Sequence, residues 1–119
     1  DGVLEAVDEK GSYLEERLQN LAAKHPCVGD VRGLGLFYTM ELVADPQTRQ
    51  PLRKSTEKYS PTVIAEVSRF LFEERNIYVP SDKFGVWVVP PLVVTHSEMD
   101  WITEAIDEAL LRVDQQLGL

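Results

Sequence analysis

Residues 31–43, Val-Arg-Gly-Leu-Gly-Leu-Phe-Tyr-Thr-Met-Glu-Leu-Val, constrain the fold of this chain more than any other stretch. From Leu34 onward apolar residues recur at every second position: Leu34, Leu36, Tyr38, Met40 and Leu42. Gly35, Phe37, Thr39, Glu41 and Val43 alternate with them. A period of two marks a strand half-buried on one face, and a run this long reads as a single central strand. Helices and shorter strands elsewhere must then cover it.

The preceding segment has the helical period. Leu4, Val7, Leu14, Leu18 and Leu21 share one face with Gly11, which predicts an amphipathic helix from Val3 to Lys24. Gly11 costs on the order of 1 kcal/mol of helix propensity against alanine, and it leaves room for a neighbour to approach closely. Helical geometry is disfavoured immediately before a proline, so His25-Pro26 ends the helix. Cys27 to Asp30 then lead into the central run as a short strand or turn. Gly33 and Gly35 permit a bulge or tight bend at its entrance. They do not form a phosphate cradle, because a strand follows them and that site needs a helix N-terminus.

Beyond Val43 the alternation ends. Ala44 to Tyr59 is polar and reads as a long loop. Ser60-Pro61 starts a second helix, with Val63, Ile64, Val67, Phe70 and Leu71 inward and Asn76 as a left-handed stop. Ile77 to Val79 reads as a short strand, and Pro80 to Lys83 as a turn. Phe84 to Val89 reads as a second full strand, ended by Pro90-Pro91, which cannot donate to a ladder. Leu92 to Val94 continues extended. Thr95 to Glu98 forms a capping box, with Val94 and Met99 as its hydrophobic staple. The last helix runs to Leu117 and stops at Gly118. The order implies one α+β domain over residues 1–119: a small, mainly antiparallel sheet of about three to four strands covered by helices. The chain opens on Asp1, almost directly before a helix, as a domain cut from a longer chain would.

Composition narrows the function classes. A net charge of −8 without a basic stripe argues against nucleic acid and against anionic membranes. No apolar run is long enough to span a bilayer, and Cys27 alone allows neither a disulfide nor a cysteine metal site. The default compartment is the cytoplasm. His25 and His96 read as surface or terminus residues, and no metal-ligand spacing is present. Glu41 sits inside the strong strand and reads as a structural partner of Arg32 across the sheet. Trp87 reads as core or interface. From residues alone, the chain is an interaction or accessory domain with neither catalytic nor cofactor-binding residues of its own.

Two motifs in order add a specific resemblance. Residues 31–43 resemble the "RGxGLxxxxEL" strand of the class III aminotransferases, fold-type I enzymes dependent on pyridoxal phosphate. Pro90 to Asp100 resembles their "PPLxxTxxExD" segment before the final helix. Glu41 to Pro51 is similar to the "ELVxDxxTxxP" variant of the omega-amino-acid:pyruvate members, including the taurine and β-alanine types. The resemblance implies the small C-terminal domain of an enzyme that transfers an amino group from an amine or omega-amino acid to an oxo acid such as pyruvate. It implies pyridoxal 5'-phosphate held by a large domain of the same chain and a homodimer of the full-length enzyme. It also implies that this domain alone is inactive, with surfaces left exposed where the large domain would sit. Many omega-type relatives carry an arginine just before the strand leading to the proline pair. Here Pro80-Ser81-Asp82-Lys83-Phe84 offers Lys83 instead, so Lys83 and Trp87 are the substrate-side candidates, with Arg32 structural. The competing reading is a standalone, non-catalytic binding or regulatory domain.

Overall fold

The computed structural model describes residues 2–51 and 63–119. Its elements run α1 (Gly2–Lys24), β1 (Val28–Leu34), β2 (Phe37–Asp45), β3 (Gln50–Pro51), α2 (Val63–Arg75), β4 (Gly85–Val88) and α3 (His96–Leu117). β2 is the middle of an antiparallel sheet, paired with β1, with β4 and, at its far end, with β3. α1 lies against β1, α2 against β4, and α3 packs on both helices. The architecture is α+β, with the helices on one face of the sheet.

The central run is a hairpin, not one strand. Leu34 pairs with Phe37, leaving Gly35-Leu36 as a two-residue turn. Gly35 has φ +61°, the left-handed value that such a turn needs at its first central position. Reversal flips the parity of the inward face. Gly33 and Tyr38 pair across the ladder, as do Val31 and Met40, and Tyr38, Met40 and Leu42 are buried. Leu34, grouped in sequence with those residues, is 87% exposed at the turn. The glycine pair thus reverses the chain where the pattern suggested only a bend.

Other expectations hold closely. α1 ends at Lys24 and buries Gly11, Leu14, Leu18 and Leu21, but Leu4, expected on the same face, is exposed with Val3 in the first turn of the helix. A Cβ on Gly11 would lie 2.5 Å from the Gly35 carbonyl oxygen, so the two glycines let helix and hairpin turn meet backbone to backbone. Tyr38 Oη donates to the Gly11 carbonyl at 3.3 Å, closing the same junction. α2 buries Ile64, Val67, Phe70 and Leu71 and ends at Asn76, φ +57°. Thr95 and Glu98 form the reciprocal capping box, Val94 and Met99 are buried beside it, and Gly118 caps α3 at φ +73°. Large side chains such as Met40, Leu71, Met99 and Ile106 are fully buried in one cluster, each stabilising by about 1.5–3 kcal/mol.

Three local expectations are corrected. β2 continues to Asp45 and turns back through β3, so the stretch after Val43 begins as a hairpin. The rest of that expected loop, and the Ser60-Pro61 helix start, lie outside the described residues. Ile77 to Val79 alternates buried, exposed, buried but joins no ladder. Pro80 follows it, and contact with β4 begins only there, through the Pro80 carbonyl and Ser81. Leu92 to Val94 is a turn, closed by the Val94 amide on the Pro91 carbonyl at 3.0 Å.

Candidate functional site

The helices cover the inner face of the sheet; Trp87 lies on the outer face, and Lys83 in the turn that leads into β4. Thr39 pairs with Trp87 on one side and with Arg32 on the other, while Phe37 faces Leu34. Trp87 is 37% exposed, and its ring centroid lies 6.0 Å from that of Phe37. Leu34 and Phe37, paired on this face, are also exposed, which makes an apolar patch beside Trp87. A further apolar groove of about 190 Å³ runs past Tyr78, Pro90, Pro91 and Trp101.

Asp82 organises the turn before β4. Its Oδ1 accepts from the amides of Phe84 (2.7 Å) and Gly85 (3.0 Å), and its Oδ2 accepts from Trp87 Nε1 (3.0 Å). Burial works to raise the Asp82 pKa, but these hydrogen bonds and the charge of Lys83 outweigh it and hold the carboxyl below its ordinary value. Lys83 is exposed, with its ammonium 5.2 Å from the centroid of the Phe84 ring and no ion pair among the described residues. Arg32 is engaged differently. It bridges Asp30 (3.0 Å) and Glu41 (2.9 Å) across the hairpin, the structural pairing read from the sequence.

His25 is corrected outright. It is 2% exposed, with Nδ1 2.6 Å from Asp114 Oδ2 and Nε2 2.5 Å from Asp107 Oδ1. Asp107 also accepts from Lys24 Nζ at 2.8 Å, and Asp114 from the Cys27 amide at 3.1 Å. Burial, with Asp114 nearby, pushes the Cys27 thiol far up, so it is no nucleophile. Both imidazole nitrogens are taken, so the cluster pins the end of α1 to α3. Its sequence signal was weak: the carboxylates lie 82 and 89 residues away. Asp114 directly after Val113, on the buried side of α3, was the one clue. His96, by contrast, is exposed at the start of α3 and pairs with Glu9 at 2.6 Å.

The described lysines do not fit a Schiff-base role. Lys10 donates to the Leu92 carbonyl, Lys24 pairs with Asp107, and Lys83 lies in an open turn. None sits in the apolar pocket that would depress an amine for that chemistry. Among the described residues no group of three or more His, Cys, Asp or Glu side chains could hold a metal ion.

A family model described as aminotransferase class-III matches residues 1–110. The chain belongs to the class III aminotransferases. It is 33% identical over 126 residues to a taurine–pyruvate aminotransferase of Bilophila wadsworthia, covering 100% of this chain and 26% of that protein. It is 36% identical over 115 residues to the Rhodobacter capsulatus taurine–pyruvate aminotransferase, covering 95% and 24% respectively. The fold is similar to that of the taurine:2-oxoglutarate aminotransferase from Bifidobacterium kashiwanohense, solved in complex with PLP and glutamate. The TM-score is 0.87 at 24% identity, over 98% of this chain and 25% of that one. The chain thus spans about a quarter of the length of the curated relatives it matches.

The class III motifs acquire physical roles here. In the first, Arg32 and Glu41 are the two ends of a cross-strand ion pair and Gly35 makes the turn between them. In the second, the proline pair follows the end of β4, and Thr95 with Glu98 caps α3. In both motifs these residues hold the local fold together.

Proposed function

We propose that this chain is the C-terminal small domain of a pyridoxal-phosphate-dependent class III aminotransferase that moves an amino group from an amine or omega-amino acid to an oxo acid such as pyruvate. The observation that carries this reading is the family match over residues 1–110, in a chain that covers a quarter of two taurine–pyruvate aminotransferases. The remainder of the longer chain would hold the cofactor, which when bound supplies the electron sink for the chemistry. The full-length enzyme would act as a homodimer in the cytoplasm. No helix among the described residues is long and apolar enough to cross a membrane.

In this reading the outer sheet face is one wall of the substrate cleft. Lys83, exposed and without an ion pair among the described residues, receives the anionic end of the donor or acceptor. A lysine gives a point charge without the bidentate fork of an arginine, so the site tolerates a sulfonate as readily as a carboxylate. Trp87 with Phe37 provides an apolar ledge for the donor's carbon chain and keeps water from it. The exposed groove at Tyr78 and Trp101 suits contact with the rest of the chain.

The test is amino transfer by the purified full-length enzyme, from taurine or β-alanine to pyruvate, read as alanine formed. Transfer abolished by stripping the cofactor supports the reading. No transfer from any amine to any oxo acid would overturn it. The isolated chain, mixed with pyridoxal phosphate and desalted, is expected to retain no visible absorbance.

A further inference from the structure

The two oxygens of Asp82 have separate partners. Oδ1 holds the turn, through the Phe84 and Gly85 amides, and the Asp82 amide returns a bond to the Gly85 carbonyl at 3.0 Å. Oδ2 holds the indole N–H of Trp87, five residues on, at 3.0 Å. The Trp87 backbone is tied separately, its amide donating to the Pro80 carbonyl at 2.8 Å. The indole has a single N–H, and bonding it to a charged, fixed acceptor selects one ring orientation against Phe37. Three N–H donors also occupy this carboxylate, which leaves it poorly placed to capture the neighbouring ammonium. Lys83 accordingly stands over the Phe84 ring and makes no ion pair among the described residues.

We infer that Asp82 is a positioning residue of the substrate wall: it locks the Trp87 indole in place and leaves the Lys83 ammonium free for an anionic substrate group. This rests on the reading of Lys83 and Trp87 as substrate-side residues. It gives one carboxylate two effects on selectivity, a fixed apolar surface and an uncommitted cation, so anionic donors are favoured over neutral amines of similar length.

Asp82→Asn in the full-length enzyme separates the roles of the two oxygens. The amide oxygen can still accept from Phe84 and Gly85, whereas its NH2 group faces the indole N–H donor to donor. The KM for taurine should rise roughly five- to tenfold relative to that for butylamine, with kcat changed less than about twofold. The near-ultraviolet circular dichroism of the variant should differ from wild type, and the difference should vanish when both proteins carry Trp87→Phe. Trp87→Phe removes the same hydrogen bond from the other side, so the effects on KM should not add. If Asp82→Asn does not fold, Trp87→Phe alone must raise the taurine KM for the inference to stand. Should Trp87→Phe and Lys83→Ala raise the taurine KM while Asp82→Asn changes neither KM nor spectrum, the positioning role is overturned and the wall remains. Should Trp87→Phe and Lys83→Ala leave that KM unchanged, the wall itself is refuted, and the inference with it.

Discussion

The buried cluster around His25 and the exposed face around Trp87 use the same kinds of group to opposite ends. At His25 both ring nitrogens and both aspartates are committed to partners inside the protein. At Trp87 the carboxylate of Asp82 is committed, but the aromatic surface and the Lys83 ammonium are not. A polar group buried with its partners contributes rigidity, and removing any member leaves the others stranded. A polar group held at the surface with a free neighbour leaves something to offer a ligand. On the proposed reading, that difference is the one between scaffold and substrate wall.

That contrast can be broken at several points. His25→Ala should have the largest effect on stability, because it leaves Asp114, 5% exposed, and Asp107 facing each other without the imidazole between them. A loss of about 3–5 kcal/mol is expected in chemical denaturation. Substitution at Gly11 sets helix propensity against a backbone clash. Gly11→Ala should destabilise by about 1–2 kcal/mol, the overlap with the Gly35 carbonyl outweighing the propensity gain. Arg32→Ala, at an exposed ion pair, should cost less than about 1 kcal/mol in the same measurement. Smallest in stability is Lys83→Ala, within about 0.5 kcal/mol, while the taurine KM rises. A Lys83→Ala variant that lost several kcal/mol instead would place the residue with the scaffold.

Acid sharpens the comparison from another side. Burial works to raise the Asp107 pKa, but hydrogen bonds from Lys24 and His25 outweigh it, so the folded pKa lies below the ordinary 3.8. A carboxyl lowered on folding contributes stability above its unfolded pKa and loses that contribution as pH falls through the folded value. Melting temperature should therefore hold from neutrality to about pH 4 and fall below it. Asp107→Asn should lower the neutral plateau and flatten the acid limb. An acid limb with unchanged slope in that variant would show that other carboxylates dominate.

Much of the fold was legible because local chemistry set it. The end of α1 followed from a proline, the start of α3 from Thr95 and Glu98, and the stops at Asn76 and Gly118 from residues that tolerate positive φ. The hairpin is hidden in the sequence for a physical reason. A two-residue turn leaves the apolar alternation unbroken along the sequence while reversing which parity points inward, and apolar Leu34 and Leu36 at the turn masked the switch. Ile77 to Val79 had strand-like alternation without a partner, and alternation carries no information about pairing. Of the candidate site, Lys83 and Trp87 came from a resemblance to a family. Asp82, which connects them, stood in plain view within a turn, but its three donors become visible only when the turn is folded.

The sequence alone determined where α3 begins, where the three helices end, and which helix faces are largely apolar. It did so because caps, prolines and periodicity act over a few residues. Only the tertiary structure decided that His25 is buried between two aspartates 82 and 89 residues away. It alone decided that Gly11 and Gly35 touch, and that the described helices all pack on one face of the sheet. Those outcomes depend on long-range packing, which brings together residues whose spacing along the chain carries no signal.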